Sequence, residues 1–243
     1  MLYLNGDAMK KLINTFYIST ALTATLLLLS YAIAFSFYTD DLTAFTDDFG
    51  VLDGFTYCGY ASLLAALFCF RTDFKSTHEK RMFALFCFFA VAALLREAGI
   101  QHWLAGTDTT AFKIRFFTNP ANPPAAKAVS AFFLLLTGSA FVYAMYVYLI
   151  PAFKGFFRKK AGSWTIITLL SAGALCKIFD RLPSNLAKHG FLIDRSGVWF
   201  GACQIMEETL ETSLPVLGIL ALIQFHKDKS LFFPCKQAQN DRL

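Results

Sequence analysis

Long apolar runs separated by short polar connections dominate the chain. About 20 consecutive apolar residues suffice to cross the hydrocarbon core of a bilayer. Six stretches reach or approach that length, at 12–37, 51–70, 82–104, 128–150, 164–182 and 198–225. The pattern predicts an all-α, polytopic helical bundle with about six membrane-spanning helices in a single transmembrane domain, 1–243. Lys10 and Lys11 precede the first run, and Ala32-Ile33-Ala34 has the small-residue form of a cleavage site. The run is long for a signal-peptide core, so a retained helix is expected.

The polar connections carry an orientation signal. Lys and Arg accumulate in cytoplasmic loops. The 71–81 connection holds Arg71, Lys75, Lys80 and Arg81, and the 151–162 connection holds Lys154, Arg158, Lys159 and Lys160. The C-terminal tail holds Lys227, Lys229, Lys236 and Arg242, whereas the 38–50 connection holds Asp40, Asp41, Asp47 and Asp48 and no Lys or Arg. Both termini are therefore expected inside, with multi-pass insertion in a plasma membrane of the bacterial inner-membrane kind. The 106–124 loop is expected outside. Asp108 or Thr107 would cap a short helix over 109–117 that Asn119-Pro120 ends. Its Phe112, Phe116 and Phe117 interleave with Lys113 and Arg115, the make-up of a segment lying in the membrane interface.

Composition agrees with the pattern. Hydrophobic residues make up 56% of the chain and charged residues 16%, with 28 Phe. A soluble domain is nearer a quarter charged, and one core of this length would not hide so much apolar surface. The net charge of +5 resides largely in the loops, so it reads as topology and not as a nucleic-acid footprint. Cys58, Cys69, Cys87, Cys176, Cys203 and Cys235 form no C-x-x-C pair. Most sit in apolar runs and read as small hydrophobes, with no disulfide framework and no thiolate metal site.

Charged residues inside spans are costly and survive where they find partners or a function. Gln204, Glu207, Glu208 and Glu211 fall at i, i+3, i+4 and i+7, on one face of the sixth span. Three carboxylates on one stripe repel and require protons, cations or a metal. Lys177, Asp180 and Arg181 form a similar stripe at the expected end of the fifth span, and Arg96, Glu97, Gln101 and His102 end the third. With the third and fifth spans running outward and the sixth inward, these groups are expected at one level near the outer leaflet. Arg96, Lys177 and Arg181 then stand against Glu97, Asp180, Glu207, Glu208 and Glu211, leaving room for a proton, a metal or a cationic group.

Two roles divide these residues. Glu207, Glu208, Glu211, Glu97 and Asp180 are the candidate catalytic carboxylates. Arg96, Lys177, Arg181, Lys113 and Arg115 are the candidate substrate-binding cations. His102, with Glu207, Glu211 or Asp180, would suit a divalent ion such as zinc, manganese or iron. The bland alternative is a set of structural ion pairs between helices. Asp53, Tyr57 and Tyr60 extend the polar set or simply begin the second helix. Thr20, Thr23 and Thr25 read as helix-packing contacts, and Tyr143, Tyr146 and Tyr148 as an interfacial belt.

Three functions follow. An enzyme acting on a lipid or lipid-linked substrate at the outer leaflet would use the cations for a phosphate headgroup and a carboxylate as general base. A small transporter would use the glutamates as proton carriers, although repeats and broken helices are lacking. An accessory subunit would use the charged faces to bind another membrane protein.

Overall fold

The computed structural model describes residues 12–38, 42–46, 50–100, 112–191 and 197–232. Among these the chain is all-α, in seven helices. They are α1 (Ile18–Phe37), α2 (Val51–Cys69), α3 (Thr77–Glu97), α4 (Ile114–Thr118), α5 (Pro124–Phe157), α6 (Ala161–Lys188) and α7 (Val198–Lys227). Five of them, α1, α2, α5, α6 and α7, are long and apolar enough to cross a membrane, as a multi-pass membrane protein requires. The apolar length is visible from outside: Leu28, Phe55, Phe68, Leu135, Val142 and Ile178 are exposed, and such surfaces call for a non-aqueous neighbour.

The third expected span is the one that falls short. α3 opens on a capping box in which the Ser76 side chain and the Glu79 side chain each bond the other's backbone N–H. It ends at Glu97, with Gly99 in the left-handed region at φ 70°, a helix stop that glycine adopts freely. The expected run reached 104, and its last residues, 101–104, lie outside the described residues. The uncharged stretch between Arg81 and Arg96 covers only about 20 Å at 1.5 Å per residue, against a hydrocarbon core of about 30 Å.

Two helices outrun their expected limits. α6 continues through a buried Pro183 to Lys188, although 164–182 was expected to end there. α5 starts at Pro124, whose missing N–H is harmless at a first turn, and runs to Phe157 through a π-helical segment, Met145–Leu149. That segment directly precedes Pro151, which cannot donate to the Val147 carbonyl, so the regular ladder is interrupted at this point. The short loop helix α4 spans Ile114–Thr118 and stops before Asn119-Pro120 as the turn signal predicts. Its expected caps at 107 and 108 lie outside the described residues.

The chain divides into two compact units, 1–73 with 151–243, and 74–150. In the first unit α7 is the central helix. It packs most extensively on α6, then on α2 and α1, and on the turn Leu42–Phe45. Some 67% of its apolar window is buried, against 22–28% for α1, α2 and α6. Small residues allow the close approach: a Cβ on Gly59 of α2 would lie 2.8 Å from the Pro215 ring of α7, and one on Gly201 would lie 2.7 Å from Leu42 Cβ. One apolar cluster joins Ala34, Leu42, Phe45, Leu52 and Ile205, and a second joins Ala172, Cys176, Leu210 and Leu217.

Hydroxyl groups stitch the same helices. Ser19 and Thr168 hydroxyls are 3.0 Å apart, Thr56 and Thr212 hydroxyls 2.7 Å apart, and Trp164 Nε1 donates to Thr20 Oγ1 at 2.7 Å. Thr20 is thus an interhelical contact as expected. Thr23, which is buried, and Thr25, which is exposed, bond carbonyls one turn back in α1. In the second unit α3 packs on α5, and Tyr148 of the expected aromatic belt donates to the His78 carbonyl. Phe116 is buried among Phe112, Phe117 and Ala126.

Candidate functional site

The polar site lies in the first unit, between α6 and α7. It is built on the pair with the most extensive packing, so its residues are held by rigid helices and not by loops. Lys177 Nζ of α6 lies 2.8 Å from Glu211 Oε1 of α7 and 3.9 Å from Glu207 Oε1. The thiol of Cys176 donates to the same Glu211 oxygen at 2.9 Å. Two carboxylates one helical turn apart therefore share one ammonium, and one of them also takes a thiol.

Burial is uneven across this group. The Glu211 side chain is 5% exposed, whereas that of Lys177 is 48% exposed. An unpaired charge with so little solvent would be strongly disfavoured, and the lysine and thiol relieve that cost. Lys177 does so from the rim, half exposed, with its ammonium on the buried oxygen. Pro215 adds a backbone feature. It lacks the N–H that would bond the Glu211 carbonyl four residues earlier, so the irregularity of α7 falls on the same residue as its buried charge.

The position along the helices differs from expectation. Glu211 is about 20 Å from the start of α7, and Lys177 about 24 Å from the start of α6, at 1.5 Å per residue. Lys177 lies well within its helix because α6 does not end near Leu182, whereas α7 keeps nearly the expected limits around Glu211.

The other residues of the two stripes behave differently. Glu208 is partly buried and its carbonyl accepts from Thr212. Asp180 and Arg181 pair with each other at 3.9 Å and remain exposed, at 43% and 71%. Gln204, one turn before Glu207, has a buried Oε1 with no hydrogen-bond partner among the described residues. Asp53 is in the first turn of α2, three residues after the Gly50 cap, where a carboxylate suits the helix dipole.

Four further predicted residues lie in the second unit. Arg96 and Glu97 form a 3.7 Å pair at the end of α3, and Lys113 and Arg115 are exposed at α4. His102 lies outside the described residues. His189 is exposed at the end of α6.

Sequence reasoning missed Cys176, which it took for a small hydrophobe. The residue is buried, but its thiol hydrogen-bonds a carboxylate. Its position directly before Lys177 and one turn before Asp180 was the available signal. Cys176, Glu207 and Glu211 each offer a ligand atom, all within 4.8 Å of one another. A thiolate with two carboxylates suits a borderline ion such as zinc. The Lys177 ammonium already sits 2.8 Å from one of those ligand atoms, so an ion would have to displace it.

Comparison with protein-family models, with curated proteins and with solved structures finds no match.

Proposed function

We propose that this multi-pass membrane protein acts on a lipid or lipid-linked substrate, through the polar site between α6 and α7. In this reading α3, with Arg81 and Arg96 snorkelling to the two interfaces, completes six spans in one transmembrane domain, both termini are cytoplasmic, and the site faces the outer leaflet of a bacterial inner membrane. One observation carries the choice. Lys177 neutralises a buried carboxylate while remaining half exposed, so the polar site reaches the lateral surface of the helix pair. Towards the C-terminal end of α7 the pair is closed by Ala172, Leu214, Leu217 and Leu169. A site open to one side and closed beyond suits a substrate arriving within the bilayer. A permeation path would need polar lining through that layer.

The roles follow from exposure. Lys177 and Arg181 hold an anionic headgroup such as a phosphate. Glu207, the more accessible of the two carboxylates at the ammonium, serves as general base, and Glu211 with Cys176 positions Lys177. Arg96, Lys113 and Arg115 remain proposed headgroup cations and Glu97 a proposed carboxylate, all four in the second unit.

The transporter reading draws on the excess of carboxylate over ammonium. The test is a lipid profile, by mass spectrometry, of membranes from cells expressing the wild type or Glu207→Gln. A phosphate-bearing lipid class altered by the wild type alone is expected. Identical profiles, together with Glu207-dependent proton flux in vesicles, would replace the enzyme by a transporter.

A further inference from the structure

We propose that the turn over 153–160, where α5 ends and α6 begins, is a docking surface for the anionic headgroups of a phospholipid leaflet. The inference rests on reading these helices as membrane spans, and it concerns a surface apart from the Lys177–Glu211 site.

The surface has two sides at helical spacing. Phe153 and Phe157 are exposed, at 46% and 79%, and lie one turn apart. Lys154 and Arg158, also one turn apart, are exposed beside them, followed by an exposed Lys159. Ala152 and Gly155 face inward. An apolar edge next to a basic edge, at the end of a membrane-length helix, is the arrangement that places rings among acyl chains and cations among headgroups.

The turn is rigidly based. Lys160 N–H bonds the Gly155 carbonyl at 3.0 Å and Lys159 N–H bonds the Phe156 carbonyl at 2.8 Å. These two bonds form a Schellman stop. Lys160 Nζ donates to the Ser230 carbonyl. Phe156 stacks on Trp164 with ring centroids 5.0 Å apart, and Trp164 stacks on Phe16 at 5.1 Å.

Lys159 supplies the independent observation. It occupies the left-handed position of the stop, at φ 55°, and is the one non-glycine residue with positive φ among the described residues. Glycine favours that position and lysine is strained there. The helix dipole accounts for cations in the last turn, such as Lys154 and Arg158. It gives no reason to keep a strained side chain just beyond. A charge placed against backbone preference points to a role for the ammonium. The exposed rings favour a lipid surface over a soluble anion, which would not need them.

The test uses the full chain in bilayers of phosphatidylcholine mixed with phosphatidylglycerol. Lipids retained after detergent extraction are read by native mass spectrometry. The wild type is expected to retain phosphatidylglycerol in preference to phosphatidylcholine, less so as salt rises. Lys159→Gly is expected to melt no earlier than the wild type, yet to lose about fivefold in that preference, the weight of one charge near a membrane surface. The triple change Lys154→Gln, Arg158→Gln, Lys159→Gln is expected to abolish it. A preference unchanged in the triple variant would overturn the proposal. Loss of the preference on replacing sodium chloride by inorganic phosphate at matched ionic strength would reassign the surface to a soluble anion. Failure of the wild type to enter bilayers at all would instead overturn the membrane reading.

Discussion

Lys177 and Glu211 meet at 2.8 Å across the α6–α7 interface, but only Glu211 is buried. The asymmetry predicts unequal consequences for removing either partner. Lys177→Met strands a carboxylate with little solvent, and a loss of about 3 kcal/mol is expected. Glu211→Gln leaves a neutral acceptor for the Cys176 thiol and frees a lysine that can turn outward, so a loss within about 1 kcal/mol is expected. Thermal denaturation of both variants in detergent, with the double variant, measures the difference. Equal losses would mean that the pair is not divided between core and rim in this way.

Metal affinity should depend on the same lysine. Cys176, Glu207 and Glu211 form a ligand set that Lys177 already neutralises. Zinc titration by calorimetry is expected to show weak binding in the wild type and tighter binding in Lys177→Met. Cys176→Ala, added to that variant, should remove the gain. Wild-type affinity equal to that of Lys177→Met would show that the ammonium does not compete for the site.

Close packing of α2 on α7 sets a steric prediction. A Cβ at Gly59 would lie 2.8 Å from Pro215 Cγ and 3.3 Å from its Cβ, atoms of a ring that cannot swing aside. Gly59→Ala is expected to lose about 1–3 kcal/mol, the range for overpacking a filled interface. Gly54, on the same helix, meets nothing within 4 Å, so Gly54→Ala should cause no such loss. The melting temperatures of the two variants give the comparison.

The Thr56–Thr212 contact offers a measure of interhelical hydroxyl bonding. Thr56 Oγ1 lies 2.7 Å from Thr212 Oγ1, and each hydroxyl also has a carbonyl of its own helix in reach, Leu52 and Glu208, so one of the two turns its single proton across the interface. Thr56→Val keeps the shape and removes the hydroxyl. A loss of about 0.6 kcal/mol, and at most about 1.7, is expected for such a bond between membrane helices. A double-mutant cycle with Thr212→Val isolates it, and a coupling near zero would place the hydroxyl's value within its own helix.

The helical make-up and five of the six expected spans were legible in the chain, because apolar length is a local property that needs no partner. Glu207 and Glu211, and the stripe that bears Lys177, were also legible, since a charge within an apolar run is conspicuous wherever it packs. The end of α6 was not. The apolar run was expected to end at 182, and only the packed structure carries the helix on to Lys188. The partner of each charge was not legible either. Lys177, Asp180 and Arg181 share one stripe, yet Lys177 alone reaches the carboxylates of α7 among the ion pairs described, while Asp180 and Arg181 pair with each other. The role of Cys176 shows the same limit: its apolar neighbours in sequence suggested a filler, and the facing helix brings a carboxylate oxygen to 2.9 Å. Periodicity states which residues share a face. The facing helix, through close packing at Gly59 and the polar contacts at Thr56 and Lys177, decides what that face meets.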